Sequence, residues 1–224
     1  MDKILYFDYA AFILFILIMI STVMKRMTRG KLNRYFIVVL ITAIFATAFD
    51  IGAIAYDNLR ERHVFAQYFF HTGYLLFHIV SALMYTIYVI NIVDAMYRFI
   101  GKVKSILLVL PVIVCVVMLA VNFFYPVVFS IEADGEYKRS MLMMCLYIAS
   151  FIYMFIGFTV VVRYRRRLSR RSLVSIISIF PIVILAVIRQ IFVPMIPIEM
   201  FANSVGLLFV ALFIQSPEQM ISST

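Results

Sequence analysis

Seven runs of apolar residues follow one another along the chain, separated by short polar stretches rich in basic or small residues. A membrane-spanning helix needs about 20 predominantly apolar residues. On that criterion the runs predict spans near 4–24, 35–56, 66–92, 105–126, 141–162, 172–193 and 198–214. Together they use up most of the chain, which leaves no room for a second folded domain. Residues 1–214 therefore read as one all-α domain, a polytopic seven-transmembrane-helix bundle, with 215–224 as the start of a linker.

The third run is interrupted in a regular way. Gln67, His71, Tyr74, His78, Ser81, Tyr85 and Tyr88 alternate spacings of four and three, which places them on one stripe of a helix. A polar stripe on a spanning helix faces the bundle interior or a watery cavity, because hydrocarbon cannot satisfy it. It serves either a binding cavity or hydrogen bonding between helices, and the pattern alone leaves both open. The seventh run carries a shorter version in Glu199, Asn203 and Gly206, and Asn122 near the end of the fourth adds to the polar group. Met141, Met143 and Met144 open the fifth run and suit an adaptable apolar surface.

Two full charges lie inside runs. Asp50 is roughly 22 Å along the second helix and Arg189 roughly 25 Å along the sixth, at 1.5 Å per residue. Their similar depth predicts an ion pair that either locks two helices or takes part in ligand binding. The candidate pocket, expected to open outward among helices two, three, six and seven, is then Asp50, His71, Tyr74, His78, Arg189, Gln190 and Asn203. Arg189 suits a ligand carboxylate or phosphate, being always charged and a pure donor. The histidines titrate near neutrality and would lend pH dependence.

Charge orients the bundle. Fourteen of the twenty Lys and Arg collect in three connections: Lys25 to Arg34, Arg98 to Lys104, and Arg163 to Arg171. Short loops rich in Lys and Arg stay in the cytoplasm, so the N-terminus is expected outside and the C-terminus inside. The net charge of +9 is then a topology signal and a contact for anionic lipid, worth roughly 1 kcal/mol per residue at the surface. It is not a nucleic-acid footprint. A hydrophobic share of 65% fits a membrane protein, since soluble domains use about 45–50%. Cys115 and Cys145 fall within spans and read as small buried apolar residues, and Ser21-Thr22-Val23-Met24 offers no cleavage site, so the first helix is retained.

Several chemistries find no support. His71 and His78 are seven apart on one helix, whereas helical metal pairs use i,i+4, so no metal or cofactor is expected. There is no phosphate-cradling glycine loop and no catalytic constellation. A retinal pigment needs a lysine inside a span, and Lys3, Lys25, Lys31, Lys102, Lys104 and Lys138 all lie at ends or in loops. A small-molecule transporter or permease subunit stays open, although no internal repeat is visible; Pro181 lies deep in the sixth run, where a kink would serve either class.

Two short segments carry a resemblance. Lys31-Leu32-Asn33-Arg34-Tyr35-Phe36, with Asp50-Ile51 further along the same helix, and the tail Ile214-Gln215-Ser216-Pro217-Glu218-Gln219-Met220 are similar to the N-terminal seven-helix sensor domain of clostridial-type GGDEF receptors. More distantly they resemble histidine kinases with a seven-helix sensor. The resemblance implies a bacterial inner- or plasma-membrane sensor that binds an unidentified small ligand and acts as a homodimer on a cytoplasmic diguanylate cyclase. In such proteins the catalytic domain begins about where this chain ends, at Ser222-Ser223-Thr224, so the cyclase residues themselves are not among these 224.

Overall fold

The computed structural model describes residues 5–24, 30–59, 63–93, 102–132, 135–192 and 198–214, with the side chains of 102–105, 190 and 191 excluded. Seven helices are described: α1 Tyr6–Met24, α2 Lys31–Asn58, α3 Val64–Ile92, α4 Lys102–Asn122, α5 Met143–Arg163, α6 Arg170–Phe192 and α7 Glu199–Phe213. Five of them, α1, α2, α3, α5 and α6, are long and apolar enough to cross a membrane. The apolar stretches of α4 and α7 are shorter, Ile106–Asn122 and Glu199–Phe213. Large side chains such as Leu17, Ile106, Val117, Phe155 and Leu185 stay exposed around the outside. Apolar patches on that scale are foreign to a water-soluble surface, and hydrocarbon is the solvent that accommodates them.

The helices match the predicted runs except where polar side chains redirect the chain. α4 stops at Asn122 rather than near 126. The Asn122 Oδ1 accepts hydrogen bonds from the backbone N–H of Val128 (2.7 Å) and Phe129 (3.2 Å), while its Nδ2 donates to the Phe129 carbonyl at 3.1 Å. One amide thus turns the chain out of the helix and into a β-hairpin. Its strands, β1 Phe129–Ile131 and β2 Tyr137–Arg139, run antiparallel with Phe129 opposite Arg139 and Ile131 opposite Tyr137. Gly135, at φ 86°, supplies the left-handed residue of the connection. α2, conversely, runs on to Asn58, carrying Asp57 on the helix rather than in a loop.

α2 and α3 form the most closely packed pair, held by a ladder of rings. Phe45 stacks on Phe77 (centroids 5.0 Å), Phe77 meets Phe49, Phe49 meets Phe69 and Phe70, and Phe70 stacks on Tyr56 at 5.3 Å. Two glycines admit this ladder. A Cβ on Gly52 would run into the Phe70 ring, and one on Gly73 into the Phe49 ring. α7 packs between α1 and α6, and Gly206 lets α6 approach so closely that a Cβ there would lie 2.8 Å from Ile179 Cγ1. α4 leans on α3 and is tied to α5 by the Tyr153 hydroxyl, which donates to the Leu108 carbonyl at 2.7 Å, one turn before Pro111.

On α5 the buried positions Met143, Leu146, Ala149, Tyr153, Gly157 and Val160 keep a helical spacing that turns their neighbours outward. Cys145 is exposed, contrary to the expectation that both cysteines are buried, whereas Cys115 is buried in α4; of the methionines that open α5, Met143 is buried and Met141 and Met144 are exposed.

Candidate functional site

The stripe on α3 turns inward as its periodicity requires. Gln67, His71, Ser81 and Tyr88 are buried, and Tyr74, His78 and Tyr85 are partly so. Along the helix, however, it serves two separate places, because His71 and His78 stand roughly 10 Å apart.

The first place is at the hairpin end of the bundle. His71 Nε2 lies 3.0 Å from Asp57 Oδ1. The Gln67 Nε2 donates both to that same oxygen (3.3 Å) and to the Gly135 carbonyl (3.0 Å). The His71 ring stacks on Tyr137 with centroids 4.1 Å apart and an interplanar angle of 20°, and Phe129 flanks it at 5.6 Å. Burial pushes the Tyr137 hydroxyl well above its ordinary range, against the opposing pull of the Arg139 guanidinium. These side chains fasten the hairpin across the junction of α2 and α3. Asp57 is absent from the expected site, yet it lies seven residues beyond Asp50, two turns on along nearly the same face of α2, and that spacing is the signal that could have found it.

The second place lies deeper. His78 Nε2 is 3.5 Å from Glu199 Oε1 at the start of α7, and the Tyr74 ring packs 5.7 Å from His78. Here the bundle encloses a cavity of about 130 Å³. Its walls are Val39, Ala43 and Ala46 of α2, His78, Ser81, Ala82, Tyr85 and Thr86 of α3, and Tyr147, Ser150, Phe151 and Met154 of α5. Ile179, Phe180, Val183 and Val187 of α6 and Glu199, Met200, Asn203 and Leu207 of α7 complete it. Most of that lining is apolar. Among the described residues Glu199 is the one carboxylate of the lining, no Lys or Arg lines it, and the buried Tyr85 hydroxyl has no hydrogen-bond partner.

The expected site is therefore only partly assembled. His78 and Asn203 line the cavity, Tyr74 packs against His78, Asp50 is not among the lining residues, and His71 belongs to the hairpin fastening. Arg189 is exposed on α6. Two residues beyond Val187 is about 200° round a helix, so when Val187 faces the cavity Arg189 faces away. The ion pairs given among the described residues are His71–Asp57, His78–Glu199 and Lys138–Glu132, and Asp50–Arg189 is not one of them. The Gln190 side chain lies outside the described residues. Tyr147, Ser150 and Met154 of α5 were not anticipated, although their three–four spacing is the same signal that marked α3.

Among the described residues no three His, Cys, Asp or Glu come together in a way that could hold a metal ion. No protein-family model, curated protein or solved structure matches the chain.

Proposed function

We propose that the chain is the membrane-embedded sensing module of a bacterial receptor, which binds a small ligand in the cavity and controls a cytoplasmic GGDEF diguanylate cyclase. In this reading all seven helices span the membrane, the hairpin end faces outward and the arginine-rich end faces the cytoplasm. The two short sequence motifs support the output and the loop charges support the orientation. The observation that carries the reading is the cavity itself: an apolar space beside α7, with a few polar groups converging on it, is the usual form of a small-molecule site.

The geometry supplies a route for the signal. α7 contributes Glu199, Met200, Asn203 and Leu207 to the cavity and then runs to Phe213, towards the segment where an output domain attaches. The close approach of Gly206 to Ile179 couples α7 to α6, so a ligand that parts α6 from α5 also displaces α7. It does so only through different affinities for the two arrangements. The test places a GGDEF cyclase after Thr224 and compares wild type with Ser150→Leu, which fills the cavity from its loosely packed α5 side. Cyclic diguanylate production that shifts in the variant supports the reading; production equal to wild type at equal protein level refutes it.

A permease would need the polar lining to continue towards the arginine-rich end. Beyond Thr86 the interior closes with Phe36, Tyr88 and Val89, all fully buried, and the Phe36–Tyr88 rings pack 5.4 Å apart. Substrate accumulation in vesicles holding the chain alone would favour the permease.

A further inference from the structure

Resting on the reading of the cavity as a ligand site, we propose that its ligand is a slender single-chain amphiphile that enters from the bilayer between α5 and α6. Its hydrogen-bond-donating head sits at Glu199 and Asn203, and a second oxygen along its chain meets Tyr85.

The walls define the head. A carboxylate or phosphate would face Glu199 with only His78 to offset it, since no Lys or Arg among the described residues lines the space. An alcohol or amine suits it better. The 3.5 Å separation of His78 and Glu199 exceeds the 2.7–2.9 Å of a strong charge-assisted bond, so the Glu199 carboxylate keeps acceptor capacity for a ligand donor. Asn203, one turn along α7, offers an amide beside it.

The second contact comes from Tyr85. Tyr85 lines the cavity, its hydroxyl is buried and has no hydrogen-bond partner among the described residues, and buried polar groups without a partner are exceptional. It stands seven residues from His78 on the same face of α3, roughly 10 Å along the helix. Between the two polar points the walls include Ala43, Ala46, Ile179 and Leu207, with the small hydroxyl of Ser81 on α3 among them. A ligand that satisfies both ends is linear, with an apolar middle and an acceptor oxygen to receive the tyrosine proton. The volume of about 130 Å³ leaves no room for a two-chain lipid.

The opening indicates the direction of approach. α2, α3 and α7 present buried or partly buried side chains to the cavity, whereas Phe151 on α5 lines it while 49% exposed. The proposed entry lies between Phe151 of α5 and Val183 of α6, which both line the cavity, beside the edge-to-face contact of the Phe158 and Phe180 rings at 5.2 Å. That window faces the side of the bundle, where the exposed apolar residues are, and not either end.

The experiment uses the whole chain in phospholipid nanodiscs, a diazirine-bearing octanol as photolabel, and peptide mapping. The expected result is saturable labelling around Phe151, Val183 and Met200 that is abolished by Ser150→Leu. Octane-1,8-diol, with a hydroxyl for each polar point, should compete about tenfold better than 1-octanol, and Tyr85→Phe should remove that advantage while 1-octanol competes as before. Octanoate should compete worst. Unsaturable labelling spread over outward residues such as Phe155 and Leu185 would overturn the proposal, as would octanoate matching the diol, or a diol advantage that survives Tyr85→Phe. If the cyclase output responds to Ser150→Leu but no amphiphile binds saturably, the sensor reading stands and the ligand class fails. If the amphiphile binds and the output ignores Ser150→Leu, the ligand class stands and the sensor reading fails.

Discussion

Gly73→Ala gives the sharpest test of how the bundle is held, because one methyl group meets an aromatic ring with nowhere to go. The Phe49 ring sits over Gly73 and is hemmed in by Phe69 at 5.4 Å, Phe70 at 5.9 Å and Phe77 at 5.5 Å. It cannot rotate aside without disturbing the rest of the ladder. Overpacking of this kind costs about 1–3 kcal/mol, offset by about 0.8–1.0 kcal/mol from replacing a helical glycine with alanine. The net loss should be up to about 2 kcal/mol, or up to about 8 °C in melting temperature for a chain of this size. Buried Cys115 provides the readout: with the exposed Cys145 changed to serine, a thiol-reactive dye reports unfolding on heating. Phe49→Leu should relieve the clash, so that Gly73→Ala on that background becomes neutral or stabilising, a coupling that independent sites would not show. A Gly73→Ala melting temperature at or above wild type, in the presence of Phe49, would refute the reasoning. The same ladder sets the register of α2 against α3, which together form one side of the cavity, so the variant should also weaken whatever binds there.

Three further outcomes follow from particular contacts. Asn122→Leu removes the acceptor for two backbone N–H groups and should cost about 1–3 kcal/mol, seen as faster hydrogen exchange across 127–140, with Asn122→Asp intermediate because it keeps the acceptor. Tyr137 holds its proton beyond the ordinary value of 10.0 because the hairpin buries it; its contribution is whole below pH 10 and falls as pH rises further, since the unfolded tyrosine ionises first. Tyr137→Phe should flatten that alkaline loss in a melting series. Asp8 is fully buried on α1, and among the described residues neither carboxylate oxygen has a hydrogen-bond partner; Asp8→Asn should raise the melting temperature, by about 1–3 kcal/mol of recovered stability, and a lower one would show that the carboxylate has a partner of its own.

Helix number and approximate limits were legible because hydrocarbon must be matched by long apolar runs, and the inward face of α3 was legible because polar groups cannot face lipid. The hairpin was not, since strands of three residues carry too little periodicity to announce themselves. Its existence depends on Asn122 reaching six and seven residues ahead, which no local pattern records. The candidate site was half legible. His78 and Asn203 fell where expected, because periodicity assigns a residue to a face of its own helix. Pairing Asp50 with Arg189 failed on a different count: depth along two helices says how far in each residue lies, not how each helix is rotated about its axis.

That division is general to this protein. The sequence by itself determined that the chain is a bundle of apolar helices, and which side of α3 turns inward, since both follow from one-dimensional spacing and the cost of burying or exposing each group. Only the tertiary structure decided that His71 belongs with Asp57 and the hairpin, that His78 belongs with Glu199, and that Arg189 turns away from both. Those partnerships depend on the rotation and separation of whole helices, which the Gly52, Gly73 and Gly206 notches set by close packing between residues far apart in the chain.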